Sequence, residues 1–176
     1  ADGRHDVVLS EHESGVDYPV RGLSCSSTQI PDIRERFPTY HEFAEASLES
    51  IYGDVLGLGR RLEIDDTRSL WFERTERGFV AHALPMHAQV GPILGIARAD
   101  LDGDGQPELA LAGGLHQTEI ETTRMDALRG VVLQGPPAEW RSVSVLESGF
   151  DAGGDVKALE AIRTPDGPGL VVARNH

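Results

Sequence analysis

Cysteine is almost missing from this chain. Cys25 stands alone, so neither a disulfide framework nor a thiolate metal cluster can form, and a small idle side chain is favoured over a nucleophile. Positive charge is scarce as well: 16 Lys and Arg against 29 Asp and Glu leave a net charge of −13. Phosphate backbones and anionic membrane surfaces would repel such a chain, which disfavours direct nucleic-acid binding. No apolar stretch approaches the ~18 residues of a membrane-spanning helix, so no membrane insertion is expected, and no signal peptide is recognisable. Catalytic signatures are missing too. The 7 histidines (His5, His12, His41, His82, His87, His116 and His176) form no His-Glu-x-x-His pair, and no Gly-x-Ser-x-Gly elbow occurs. Gly57-Leu58-Gly59 lacks a phosphate-loop context, and Asp65-Asp66 and Glu119 with Glu121 read as solvated loop charges rather than as a glycosidase pair.

What the chain does have is Asp100-Leu101-Asp102-Gly103-Asp104-Gly105-Gln106-Pro107-Glu108. Acidic side chains fall at positions 1, 3, 5 and 9, with glycines at 4 and 6. Alternate spacing lets the carboxylates curl around one point, and hard oxygen donors gathered in this way suit calcium. An EF-hand would need a Glu at position 12, where Leu111 stands, and flanking helices; here β-leaning apolar runs flank the loop instead. The loop therefore reads as a tight connection between strands over 93–99 and 108–112. A metal-free Asp/Gly turn is the competing reading; the ladder of carboxylates favours calcium.

The motif recurs in part. Ala1-Asp2-Gly3-Arg4-His5-Asp6-Val7-Val8-Leu9 repeats its second half and exit strand, and Pro165-Asp166-Gly167 keeps the turn while losing the ligand positions. The interval of roughly 60 residues from Asp104 to Asp166 fits a four-stranded blade. The chain has no initiating Met, and Ala1 falls inside a motif copy, so the expectation is a fragment or a processed chain that begins within a domain. The longer interval before Asp104 holds an insertion over 22–59. There Ile30, Ile33 and Phe37 mark one helix with Pro31 in its first turn. Thr39 caps a second, with Glu42 completing a capping box and Phe43, Ala46, Leu48 and Ile51 forming a stripe too small to make its own core. Further strands are expected over 6–11, 16–21, 60–64, 69–73, 79–83, 130–134, 140–145, 156–162 and 170–173, separated by Gly/Pro/Asp turns. Many short, evenly spaced strands indicate an all-β class and a partial β-propeller of about two to three four-stranded blades, carrying a small two-helix insertion. On this reading residues 1–176 belong to one propeller domain.

A polar loop, 116–126, offers a different candidate. Glu121, Arg124 and Asp126 could line a ligand surface, since loops of this size on a rigid scaffold are often functional. The plainer reading is that Arg124 pairs with Asp126 or Glu121 and pins the loop.

The Asp-x-Asp-Gly-Asp-Gly-x-Pro-Glu motif with its apolar exit strand resembles the FG-GAP/VCBS repeats of integrin-like β-propellers. Tyr18-Pro19-Val20-Arg21-Gly22-Leu23-Ser24-Cys25-Ser26-Ser27, Phe37-Pro38-Thr39-Tyr40 and Ala46-Ser47-Leu48-Glu49-Ser50-Ile51-Tyr52-Gly53 narrow the likeness, as do Thr122-Thr123-Arg124-Met125-Asp126-Ala127 and Glu147-Ser148-Gly149-Phe150. These stretches are similar to the C-terminal propeller of bacterial secreted proteins related to cartilage acidic protein and to the ASPIC/UnbV group. The resemblance implies a propeller outside the cytoplasm (extracellular, cell-surface or periplasmic), stabilised by structural calcium and completed by the rest of a parent chain. By position, Asp100, Asp102, Asp104 and Glu108 would supply carboxylates and Gln106 its backbone carbonyl, with Glu108 standing where the family usually has Asp. Asp2, the Arg4 carbonyl and Asp6 would form a weaker, truncated second site. The implied role is non-enzymatic adhesion to, or binding of, protein or glycan partners. A propeller-based carbohydrate-active or other hydrolytic enzyme, and a pure scaffold with its function upstream, are the alternatives.

Overall fold

The computed structural model describes residues 7–118 and 122–175. The chain divides into two compact units, Ala1–Ile64 and Asp65–His176. Small antiparallel sheets dominate, with few and short helices, as expected for an all-β class.

In the first unit, β1 (Ser10–Glu13) and β2 (Val16–Pro19) form a hairpin whose two-residue turn carries positive φ at both Ser14 and Gly15. That turn matches the right-handed twist of the strands it joins. Four short helices follow: α1 (Leu23–Gln29), α2 (Asp32–Arg36), α3 (Tyr40–Ala44) and α4 (Leu48–Tyr52). The expected two helices are thus replaced by four. The Thr39–Glu42 capping box forms as expected, but the helix it opens stops at Ala44. Ser47 then accepts the Ser50 N–H at 3.1 Å and caps a fresh helix, a case of a short hydroxyl competing for backbone donors. Most of the expected apolar residues still meet: Ile33, Phe43, Ala46 and Ile51 are buried together with Leu23, which was not expected, and Ile30 and Phe37 pack on them, while Leu48 is buried outside this cluster. This is a hydrophobic cluster of the first unit's own, larger than the stripe alone suggests. Residues 60–64 form no strand: Leu62 and Ile64 are exposed, and Arg61 pairs with Asp17 and Glu63 instead of joining a ladder.

The second unit opens with a hairpin of β3 (Leu70–Thr75) and β4 (Gly78–Ala83). Four strands then pair in sequence order as an antiparallel meander: β5 (Gly95–Ala99), β6 (Glu108–Ala112), β7 (Val131–Gln134) and β8 (Arg141–Val143). A one-turn helix, α5 (Val145–Ser148), leads to a long hairpin of β9 (Asp155–Thr164) and β10 (Gly167–Asn175). The two central strands of the meander, β6 and β7, are buried on both faces, while Ile96 of the edge strand β5 is exposed. Ala97, Ala110, Ala112 and Val132 point one way and pack on Val156 and Leu159 of β9. Leu111, Val131 and Leu133 point the other way, against Leu84, Ala88, Leu128 and Trp71. Small residues on the first face permit close approach: a Cβ placed on Gly95 would lie 2.6 Å from Leu159 Cβ.

Candidate metal centre

The β5–β6 connection is built by its own backbone. Gly103 and Gly105 sit at φ +83° and +87°, where side-chain-bearing residues are strained, and these two reversals fold the loop inward. Asp100 accepts the N–H groups of Gly103 (2.8 Å) and Gly105 (3.1 Å), Asp102 that of Asp104 (3.1 Å) and Asp104 that of Gln106 (2.6 Å). Glu108, the first residue of β6 and 3% exposed, reaches back to accept the Leu101 N–H at 2.7 Å. Its side chain projects from the same side of the sheet as Ala110 and Ala112, which explains its burial.

As a result, one oxygen each from Asp100, Asp102 and Glu108 come within 4.8 Å of one another. Asp104 does not join this group. The three carboxylates repel one another unless a cation lies among them, and the inward N–H groups offset only part of that. The set is all oxygen, without thiolate or imidazole, so by donor type it suits a hard divalent cation. Such an ion would be held by Asp100, Asp102 and Glu108 and would offset two of their three negative charges, pinning the end of β5 to the start of β6.

The remaining candidates fare differently. Asp2, Arg4, Asp6 and Glu121 lie outside the described residues. Arg124 and Asp126 are exposed and make no ion pair with each other; the segment is instead tied by the Leu115–Met125 backbone bridge, with N–H···O distances of 2.9 and 3.0 Å. At the third motif copy, Thr164 Oγ1 donates to the Gly167 carbonyl at 2.9 Å and accepts the Asp166 N–H at 3.3 Å. This is turn chemistry with no gathering of carboxylates. The same clasp closes β3–β4, where Thr75 Oγ1 donates to the Gly78 carbonyl at 3.0 Å and accepts the Arg77 N–H at 3.2 Å. The shared Arg-Thr-x-x-Gly of Arg74–Gly78 and Arg163–Gly167 is the sequence signal that would have revealed this second repeat.

Two further features were not legible beforehand. Asp155, 3% exposed at the start of β9, pairs with Lys157 at 2.6 Å and accepts the His116 N–H at 3.1 Å. The Lys157 ammonium, aided by that N–H, holds the Asp155 carboxyl below the usual carboxylate range despite the opposing effect of burial. In the first unit, a groove of about 790 Å³ runs between the β1–β2 hairpin and α3, lined by Glu11, Glu13, Tyr18, Tyr40 and Phe43 among others.

Compared with protein-family models, with curated proteins and with solved structures, the chain finds no match. Among the described residues, no helix is long and apolar enough to cross a membrane.

Proposed function

We propose that this chain is a calcium-stabilised segment of a β-propeller that binds protein or glycan partners outside the cytoplasm, without catalysis of its own. The carrying observation is the placement of the acidic loop. It connects the first and second strands of a four-stranded antiparallel meander, the unit from which propeller blades are made. Burial of both faces of its two central strands supports the same reading, because a blade is a sheet stacked between neighbouring sheets. The hairpin β9–β10 lies where the next blade would begin, with β9 against β5. Calcium is the ion proposed because the loop offers oxygen donors from carboxylates that are partly exposed and not set as an octahedron, whereas magnesium demands a near-ideal octahedron and keeps much of its water. Its part is structural: bound, it removes the mutual repulsion of three carboxylates and stiffens the blade.

The test is calorimetric titration of the full chain with calcium, paired with thermal unfolding in calcium and in chelator. An ion that binds only the native state stabilises by mass action, about 2.7 kcal/mol at a hundredfold excess over its dissociation constant. Uptake by the wild type, abolished by Asp100→Ala, is the expected result. No uptake by a folded wild-type chain overturns the calcium assignment.

A further inference from the structure

We infer that Gln134 is a positioning residue for the cation loop, held in its working orientation by Arg141. The inference rests on the calcium reading above, but its geometry is separate. Gln134 ends β7, and its Nε2 donates to Asp102 Oδ2 at 2.7 Å. Its Oε1 accepts from Arg141 Nη2 at 2.6 Å, Arg141 being its direct neighbour across the β7–β8 pair. Arg141 also faces Glu147 of α5, at 3.3 and 3.4 Å. Ser144 sets that short helix by accepting the Glu147 N–H at 3.2 Å.

The chain of contacts has one allowed direction. A guanidinium carries only donors, so the carboxamide atom that meets it must be the oxygen. A carboxylate can only accept, so the atom that meets Asp102 must be the amide nitrogen. Both ends demand the same orientation of Gln134; the flipped amide would set donor against donor and oxygen against oxygen. Arg141 therefore reinforces, through Gln134, the orientation in which a donor points at Asp102. With Oδ1 of Asp102 already accepting the Asp104 N–H, both carboxylate oxygens are anchored while lone pairs remain for an ion. Asp102 is an exposed residue on a loop, and without Gln134 its carboxylate would lose the Oδ2 contact and keep only the Oδ1 bond from the Asp104 N–H among those described. The loop between β5 and β6 is thereby tied to β7 and β8, and these later strands contribute to the site without supplying a ligand.

The experiment uses the full chain as wild type, Gln134→Leu, Arg141→Met, their double variant and Arg141→Lys. Calcium affinity is read by calorimetry, and the amide exchange of Gly103, Asp104 and Gly105 is read in chelator. Loss of a residue that orients a ligand lowers metal affinity about 10- to 100-fold, and the exposed setting here places the expectation near tenfold. Each single variant is expected to show that loss, the double variant no more than either single, and Arg141→Lys, which keeps a donor, a loss within about threefold. The loop amides are expected to exchange faster in both single variants. Affinity within twofold of wild type in Arg141→Met overturns the inference, as does an additive loss of about a hundredfold in the double variant. If the wild type itself takes up no calcium, the calcium reading fails on its own, and the exchange arm still decides: unchanged loop exchange in Gln134→Leu overturns the positioning role. Unfolding midpoints in chelator show whether each variant is folded.

Discussion

Replacing Glu108 by Gln should act in opposite directions with and without calcium. Its carboxylate is 3% exposed and offers an oxygen within 4.8 Å of oxygens on both Asp100 and Asp102. At that separation two unit charges repel by about 0.9 kcal/mol in water and by about 3.5 kcal/mol at an effective dielectric of about 20. Asp102 is exposed and Asp100 half-buried, so the lower end applies and the two pairs together amount to about 2 kcal/mol. Gln keeps the shape, and its oxygen still accepts the Leu101 N–H, though a neutral acceptor is weaker by about 1 kcal/mol. In chelator the variant should therefore be more stable than wild type by about 1 kcal/mol, or roughly 4 °C in a unit of this size. At saturating calcium the order reverses, because one of three anionic ligands is gone and the mass-action gain of the wild type is largely lost. Thermal unfolding across a calcium series should show two curves that cross. A variant that is less stable than wild type in chelator, or that gains as much from calcium as wild type does, would refute the argument.

Three other outcomes follow from separate parts of the molecule. The Arg68 guanidinium, hydrogen-bonded to Asp66 at 2.7 Å, pulls that carboxyl from 3.8 down to about 2. Because the folded value is the lower one, this stabilisation is complete above about pH 4 and disappears as pH falls through about 2. Carboxyl-carbon NMR should move the Asp66 titration up toward its ordinary value in Arg68→Gln, with the residue-68 backbone N–H still holding it partly down, and an unmoved titration would contradict the assignment. Leu133→Ala, fully buried on the second face of the meander, should lose about 3–4 kcal/mol in denaturant unfolding; a loss under about 1 kcal/mol would mean that this face is not packed as described. Gly95→Ala should lose about 1–3 kcal/mol through overpacking against Leu159, and a neutral result would show that β5 and β9 do not approach so closely.

Local chemistry set much of this fold. The two-sided burial of β6 was foreshadowed by the unbroken apolar run from Leu109 to Ala112, since a strand with one wet face would alternate. The Thr39–Glu42 cap and the strand–loop–strand reading of 93–112 were likewise local, set by turn residues and period. Helix count was not, because Ser47 as a cap and Ser47 as a helix interior look alike in a pattern and only the Ser50 N–H that it accepts separates them. The strand expected over 60–64 failed for the converse reason: its alternation was adequate, but a strand exists only with a partner edge.

The acidic loop shows the same division. Sequence by itself determined that carboxylates at alternate positions, with glycines between them, would turn inward and could take a hard cation, because spacing and φ freedom are properties of neighbouring residues. Which carboxylates meet was decided only by the tertiary structure. Asp104 turns to its own backbone while Glu108 is drawn in from the head of β6, and Gln134 and Arg141 arrive from strands that lie far along the chain. Those contacts depend on strand pairing and register, which bring together residues that no local pattern connects.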